Sequence, residues 1–95
     1  MTMDGIQHLV DFFCAIRKDF RISATHIGVF AALLAYRTSN GNDTAVKVFS
    51  KDIMPMAKIS SPSTYLRCVR ELHDYGYIIY KPSYKKTVAS TIHFK

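Results

Sequence analysis

Side chains capable of covalent or metal chemistry are few in this sequence and stand apart. His8, His26, His73 and His93 are dispersed, and none has a second histidine or a cysteine at the spacing a helix-borne metal site uses. Each reads as a surface or core-edge histidine. Cys14 and Cys68 lie far apart with no short cysteine spacing, so neither a zinc site nor a disulfide framework is expected. Arg67 and Arg70 flank Cys68, and neighbouring cations favour a thiolate, but a cysteine placed so in a helix reads as a small flank filler. Glu71 and Asp74 share the exposed side of the same helix. They read as partners for Arg67 and Arg70 that discourage nonspecific phosphate binding, not as an acid–base pair. There is no phosphate loop and no nucleophile elbow. No enzyme activity, metal or cofactor is expected. Another set does stand together: Ser61, Ser63, Thr64 and Arg67. Small hydroxyls allow close approach to a phosphate, a helix N-terminus draws an anion, and a guanidinium fork matches a guanine edge.

The element that must hold this set is the best-marked one in the chain, SSPSTYLRCVRELHDYG. Ser61 caps a helix, Pro62 takes its first position, and Gly76 closes the far end in the left-handed conformation. Tyr65, Leu66, Val69, Leu72 and His73 share the apolar face, which leaves Ser61, Ser63, Thr64 and Arg67 on the other side and Arg70 on the flank. Before it, Lys58-Ile59-Ser60 reads as a tight turn. Lys51 to about Ala57 reads as a short helical piece interrupted by Pro55, whose missing amide a helix interior would use. Helix, turn and capped helix make a helix-turn-helix candidate, in which the second helix brings its first turns to base edges. Beyond Gly76, Tyr77-Ile78-Ile79-Tyr80 is strand, Pro82 to Lys86 a turn-forming loop, and Thr87 to Phe94 alternates with Val88, Ser90, Ile92 and Phe94 on one side. The tip of this hairpin carries Tyr84, Lys85 and Lys86, suited to gripping a phosphate backbone beside a groove.

Toward the N-terminus, Ile6, Leu9, Val10, Phe13, Ile16 and Phe20 recur at helical spacing, with Thr2 or Asp4 as the cap. Phe12, at the edge of that stripe, reads as core rather than partner surface. Ser23 caps a second helix running to Arg37, apolar nearly all round and therefore central. Asn40-Gly41 marks a turn, and Val46-Lys47-Val48 a very short strand. With 95 residues the chain is expected to be one domain, residues 1–21 supplying an N-terminal helix and 22–95 the core. A composition 48% hydrophobic and 21% charged excludes a disordered chain. The longest run without charged or strongly polar residues, Ile27 to Tyr36, spans ten, whereas a membrane helix needs about 20. No basic region precedes an apolar one at the start, so a cytoplasmic protein is expected.

The net charge of +6 is unevenly placed. Residues 1–45 hold four basic and four acidic side chains, whereas residues 46–95 hold nine basic against three acidic. A half-chain excess of this kind is the electrostatic footprint of a polyanion-binding face.

The helix Ile27–Arg37, the turn Lys58-Ile59-Ser60, the helix Ser61–Tyr75 and the phrase ELHDYGYIIY together resemble the winged helix-turn-helix family over roughly residues 20–95. Within it the chain is most similar to small regulators carried by mobile elements of Bacteroides-type bacteria, which share a similar "HI…Y" helix and "GYI.Y.PS" hairpin. The resemblance implies an α+β fold, a core of three to four helices with a C-terminal β-hairpin wing. It implies sequence-specific binding of double-stranded DNA, with helix 61–75 in the major groove through Ser61, Ser63, Thr64, Tyr65 and Arg67. Lys58, Ser60 and Arg70 would stand beside it, and a wing of Lys81 to Lys86, including Tyr84 and Lys85, would lie on the backbone. The implied role is transcriptional control, or assistance to excision or transfer of a mobile element. A recombinase and a second copy of the chain are both open as protein partners. Pro55 departs from a regular helix at its position. The rival reading is a docking module within a larger assembly, because one fold serves many functions. RNA binding would call for exposed aromatics on a sheet face, and of Tyr77, Tyr80 and Tyr84 only the last is expected to be free.

Overall fold

The computed structural model describes residues 3–39, 45–85 and 87–94. Along the chain they form helix α1 (Met3–Ile16), helix α2 (Ala24–Ser39), strand β1 (Ala45–Val48), helix α3 (Ser50–Ala57), helix α4 (Pro62–Asp74), strand β2 (Ile78–Lys81) and strand β3 (Ser90–Phe94). The class is α+β, as expected: four helices and a three-stranded antiparallel sheet among the described residues. Thr2, the Asp4 side chain, the Asn40-Gly41 turn and Lys86 lie outside those residues.

Helix α2 is the spine, because apolar side chains surround it. Val29, Leu33 and Leu34 are fully buried on it, and Ile53 of α3, Val69 and Leu72 of α4, Ile78 of β2 and Ile92 of β3 close around them. Each such side chain contributes roughly 1.5–3 kcal/mol by leaving water. Ser23 caps α2 as its position predicts, its carbonyl accepting from the Ile27 amide at 3.1 Å.

The sheet runs β1-β3-β2, so the strand latest in sequence is central. Ala45 to Val48 pair with His93 to Ser90, and Ile78 to Lys81 pair with Phe94 to Thr91. The alternation expected from Thr87 becomes strand only at Ser90. Its neighbours end opposite Ser90 and Thr91, so Val88 has no partner strand and is half exposed.

Two expectations about which face turns inward are corrected. On α1, Ile6, Val10 and Phe13 are 43–48% exposed while Phe12 is 4% exposed. Apolar residues cover so much of this helix that tertiary contacts decide its rotation, and the Phe12 ring stacks on Phe30 at 3.9 Å and meets Tyr77 edge-on at 5.3 Å. Leu9 and Ile16 stay partly buried. The helix ends at Ile16, and Phe20, past the end, is 95% exposed. On α4, the inward face centres on Tyr65, Cys68, Val69 and Leu72, and His73 is exposed. The His73 Nδ1 instead accepts from the Tyr80 amide at 3.0 Å.

Helix α3 is short, as expected, but continuous through Pro55. The proline forfeits one amide near the end of two turns, and the helix stops soon after at Lys58, which is left-handed with φ of 61°. The Ile59 amide reaches back to the Met54 carbonyl at 2.9 Å and closes that end.

Candidate nucleic-acid interface

The α3–α4 corner is built by two local devices. Lys58 in the left-handed region reverses the chain after α3, and Ser61 then caps α4, its Oγ accepting from the Thr64 amide at 3.4 Å with Pro62 behind it. At the other end Gly76, with φ of 90°, turns the chain from α4 into β2. The Tyr77 amide closes this end on the Leu72 carbonyl at 2.9 Å.

Burial sorts the expected surface residues. Lys58, Ser60, Ser63, Arg67, Arg70, Lys81, Tyr84 and Lys85 are exposed; Ser61 and Thr64 are half-buried. Ser63, Arg67, Arg70 and Asp74 fall together on the outward side of α4, opposite the buried Tyr65, Cys68, Val69 and Leu72. Tyr65, expected among the surface contacts, is 3% exposed and belongs to the core, because its helical position falls on the inward face. Tyr84 is 95% exposed. Tyr77 is half-buried with its hydroxyl donating to Asp19, so it offers no free sheet aromatic. The hairpin loop lies beside α4, since Leu66 shares one cleft with Ser83, Lys85 and Val88.

Glu71 is more than a surface counter-ion. It sits 3.6 Å from Arg67, as a partner one turn away should, but the same Oε1 accepts from His26 Nε2 at 3.0 Å and Oε2 accepts from the Tyr75 hydroxyl at 3.2 Å. It therefore ties α4 to the start of α2. The His26 hydrogen bond, then that of Tyr75 and the nearby Arg67 guanidinium, hold its carboxyl below the usual carboxylate range. Among the described residues Arg70 and Asp74 form no ion pair, so the second expected pairing is not made.

His26, which by sequence reads as a surface or core-edge histidine, is buried at 3% exposed. Its Nδ1 accepts from both the Ser23 amide, at 2.9 Å, and the Ser23 hydroxyl, at 2.8 Å, so Nδ1 carries no proton and Nε2–H faces Glu71. Hydroxyl, imidazole and carboxylate thus stand in the order of a nucleophilic triad. The bonding is that of a capping box, with histidine at the position usually taken by glutamate. The Ser23 hydroxyl also accepts from the His26 amide at 3.4 Å. The imidazole lone pair a base would use is already engaged by the backbone. The spacing Ser23-x-x-His26 was the available sequence signal.

A second cluster steadies the turn after α1. Asp19 accepts from Arg21 Nε and from its terminal nitrogen, both at 2.8 Å, and from the Tyr77 hydroxyl. Those bonds, Arg21 first, hold its carboxyl far below the ordinary range. The Arg21 guanidinium lies 4.0 Å from the Tyr75 ring centre.

Cys68 is fully buried, and burial pushes its thiol up, which overrides Arg67 and removes it as a nucleophile. Among the described residues no group of three histidine, cysteine or acidic side chains is placed to hold a metal ion, and no helix is long and apolar enough to cross a membrane. The chemistry the surface offers is anion recognition by Lys58, Arg67, Arg70, Lys81 and Lys85 around exposed hydroxyls. The chain matches no protein-family model, no curated protein and no solved structure.

Proposed function

We propose that this chain is a winged helix-turn-helix protein that binds double-stranded DNA. The order α2, β1, α3, α4, β2, β3 supports the fold, with α3 and α4 as the helix pair and the β2–β3 loop as the wing. The observation that carries the function is where the cations stand. Every described lysine and arginine of residues 46–95 is exposed, and among them Arg67 and Arg70 stand on the outward face of α4 and Lys85 on the loop beside it. On this reading α4 enters the major groove, Ser63 and Arg67 meet base edges, and Lys58, Arg70, Lys81 and Lys85 meet phosphates. Transcriptional control, or help with excision or transfer of a mobile element, is the role in keeping with the resemblance, and a cytoplasmic setting goes with it.

The test is a titration with duplex DNA across salt concentrations. Neutralising ~4–6 phosphates gives a slope of log K against log salt of about −4 to −5, near 0.9 per phosphate. A flat response removes the nucleic-acid reading. The second reading, a docking module, draws on the exposed Ile6, Val10 and Phe13 of α1, residues a protein partner would cover. It predicts a salt-insensitive chain that associates in light scattering.

A further inference from the structure

Tyr65 is nearly sequestered on α4, yet its hydroxyl has no hydrogen-bond partner among the described residues. The ring is buried while the hydroxyl keeps contact with solvent, so the phenol O–H is open to a partner from outside. Tyr65 borders a cleft of about 280 Å³ between α4, the junction of β1 with α3, and the β2–β3 loop. Val48, Phe49, Leu66 and Val88 give it apolar walls, and no carboxylate lines it.

The polar groups at the cleft are donors. Burial raises the Tyr65 phenol above its ordinary range, so it keeps its proton at neutral pH. Lys85 brings an ammonium. The Ser90 Oγ accepts from the Ser83 amide at 3.3 Å, which leaves its own proton to give. Phe49 and Ser50 add the start of α3, where no side chain caps the helix; Asp52 stands in that first turn and its amide is given to the Phe49 carbonyl at 3.0 Å, which leaves the Ser50 and Lys51 amides as the donors there. Apolar walls with donors and no acceptor carboxylate select a small anion that carries a flat apolar body. The volume, near the lower end of the usual ~300–1,000 Å³ for ligand pockets, admits one ring.

We propose that this cleft binds a small aromatic carboxylate, its ring held between Val48, Leu66 and Val88, and its carboxylate taken by Tyr65, Lys85 and the start of α3. The site stands independently of DNA binding. If both hold, the ligand lies where helix and wing meet.

Benzoate, benzamide and inorganic phosphate are titrated separately into the full-length ¹⁵N-labelled chain without nucleic acid, with amide resonances followed. Benzoate should give saturable shifts centred on Ser50, Leu66 and Ser90, and benzamide should bind about tenfold more weakly for want of the charge. Tyr65→Phe should lose about tenfold in benzoate affinity. Its melting temperature without ligand should not fall, because the hydroxyl makes no bond in the free chain. Lys85→Ala should weaken benzoate but not benzamide. The proposal is overturned if benzoate gives no saturable shift, if benzamide binds equally, or if Tyr65→Phe binds like the parent. It is overturned too if phosphate moves the same amides with equal affinity, which would reassign the cleft to a phosphodiester. Because DNA is absent, loss of this site leaves the salt-dependence test untouched.

Discussion

Lys58→Gly separates what the α3–α4 corner does for folding from what it does at the interface. Lys58 holds φ of 61°, and the left-handed region costs a residue with a β-carbon roughly 1–2 kcal/mol. Glycine removes that strain but loses about 0.5–1 kcal/mol more backbone entropy on folding. The side chain is exposed and forms no ion pair among the described residues, so no contact offsets the exchange. The net expectation is a gain of about 0.5–1 kcal/mol, or roughly 2–8 °C in melting temperature for a domain this small. If Lys58 meets a phosphate, the same substitution lowers the salt slope of duplex binding by about 0.9. Lys58→Ala is the control: it keeps the strain and loses the charge, so it should melt near the parent and bind DNA like the glycine variant. Scanning calorimetry and salt-dependent titrations read both quantities. A glycine variant melting below the parent would refute the left-handed turn. Glycine and alanine variants that differ in salt slope would refute the assignment of the effect to charge.

Arg67 and the loop lysines should fail differently. Arg67→Ala should cost ~1–3 kcal/mol on a selected site and relax preference at one base position, whereas Lys85→Ala with Lys86→Ala should weaken selected and scrambled duplexes alike and reduce the slope by about 2; the opposite pattern would make the hairpin the reader. Acid should unfold the chain in part through Glu71. A carboxyl depressed in the folded state stabilises it above the unfolded value, ~4.3 for glutamate, and that contribution disappears as pH falls through the folded value. Melts from pH 7 to 3 should fall less steeply for Glu71→Gln, though not level, because Asp19 is held down in the same direction by Arg21; identical acid limbs would mean that the His26–Glu71 bond does not form in solution.

Features with local causes were legible in the sequence. The Ser61-Pro62 start and the Gly76 stop depend on side chains within a few residues of the backbone they close, so position alone reveals them. The exposed cations follow for a similar reason, since lysine and arginine seldom leave water unpaired. What was hidden depends on residues distant in sequence. The rotation of α1 is set by Phe30 and Tyr77, not by its own stripe. Glu71 meets a histidine 45 residues earlier. Tyr65 and Cys68 lie toward one side of the apolar face, and only the packing of α2 and the sheet shows that this side, not the His73 side, is sealed. The pairing of β1 with β3 likewise could not be read from three alternating residues.

The central place of β3 bears on how the chain comes to be folded during synthesis. Ala45 must wait for His93, and Ile78 for Phe94, so neither outer strand has a partner until residue 94 has left the ribosome tunnel. Helices α1 to α4 can meet earlier, but they do so over two unzipped strands carrying Val46, Val48, Ile78 and Ile79. The nascent chain therefore presents these edges until translation has passed β3. While β3 is missing the sheet stays open, and its edges are available to pair with another unfolded chain.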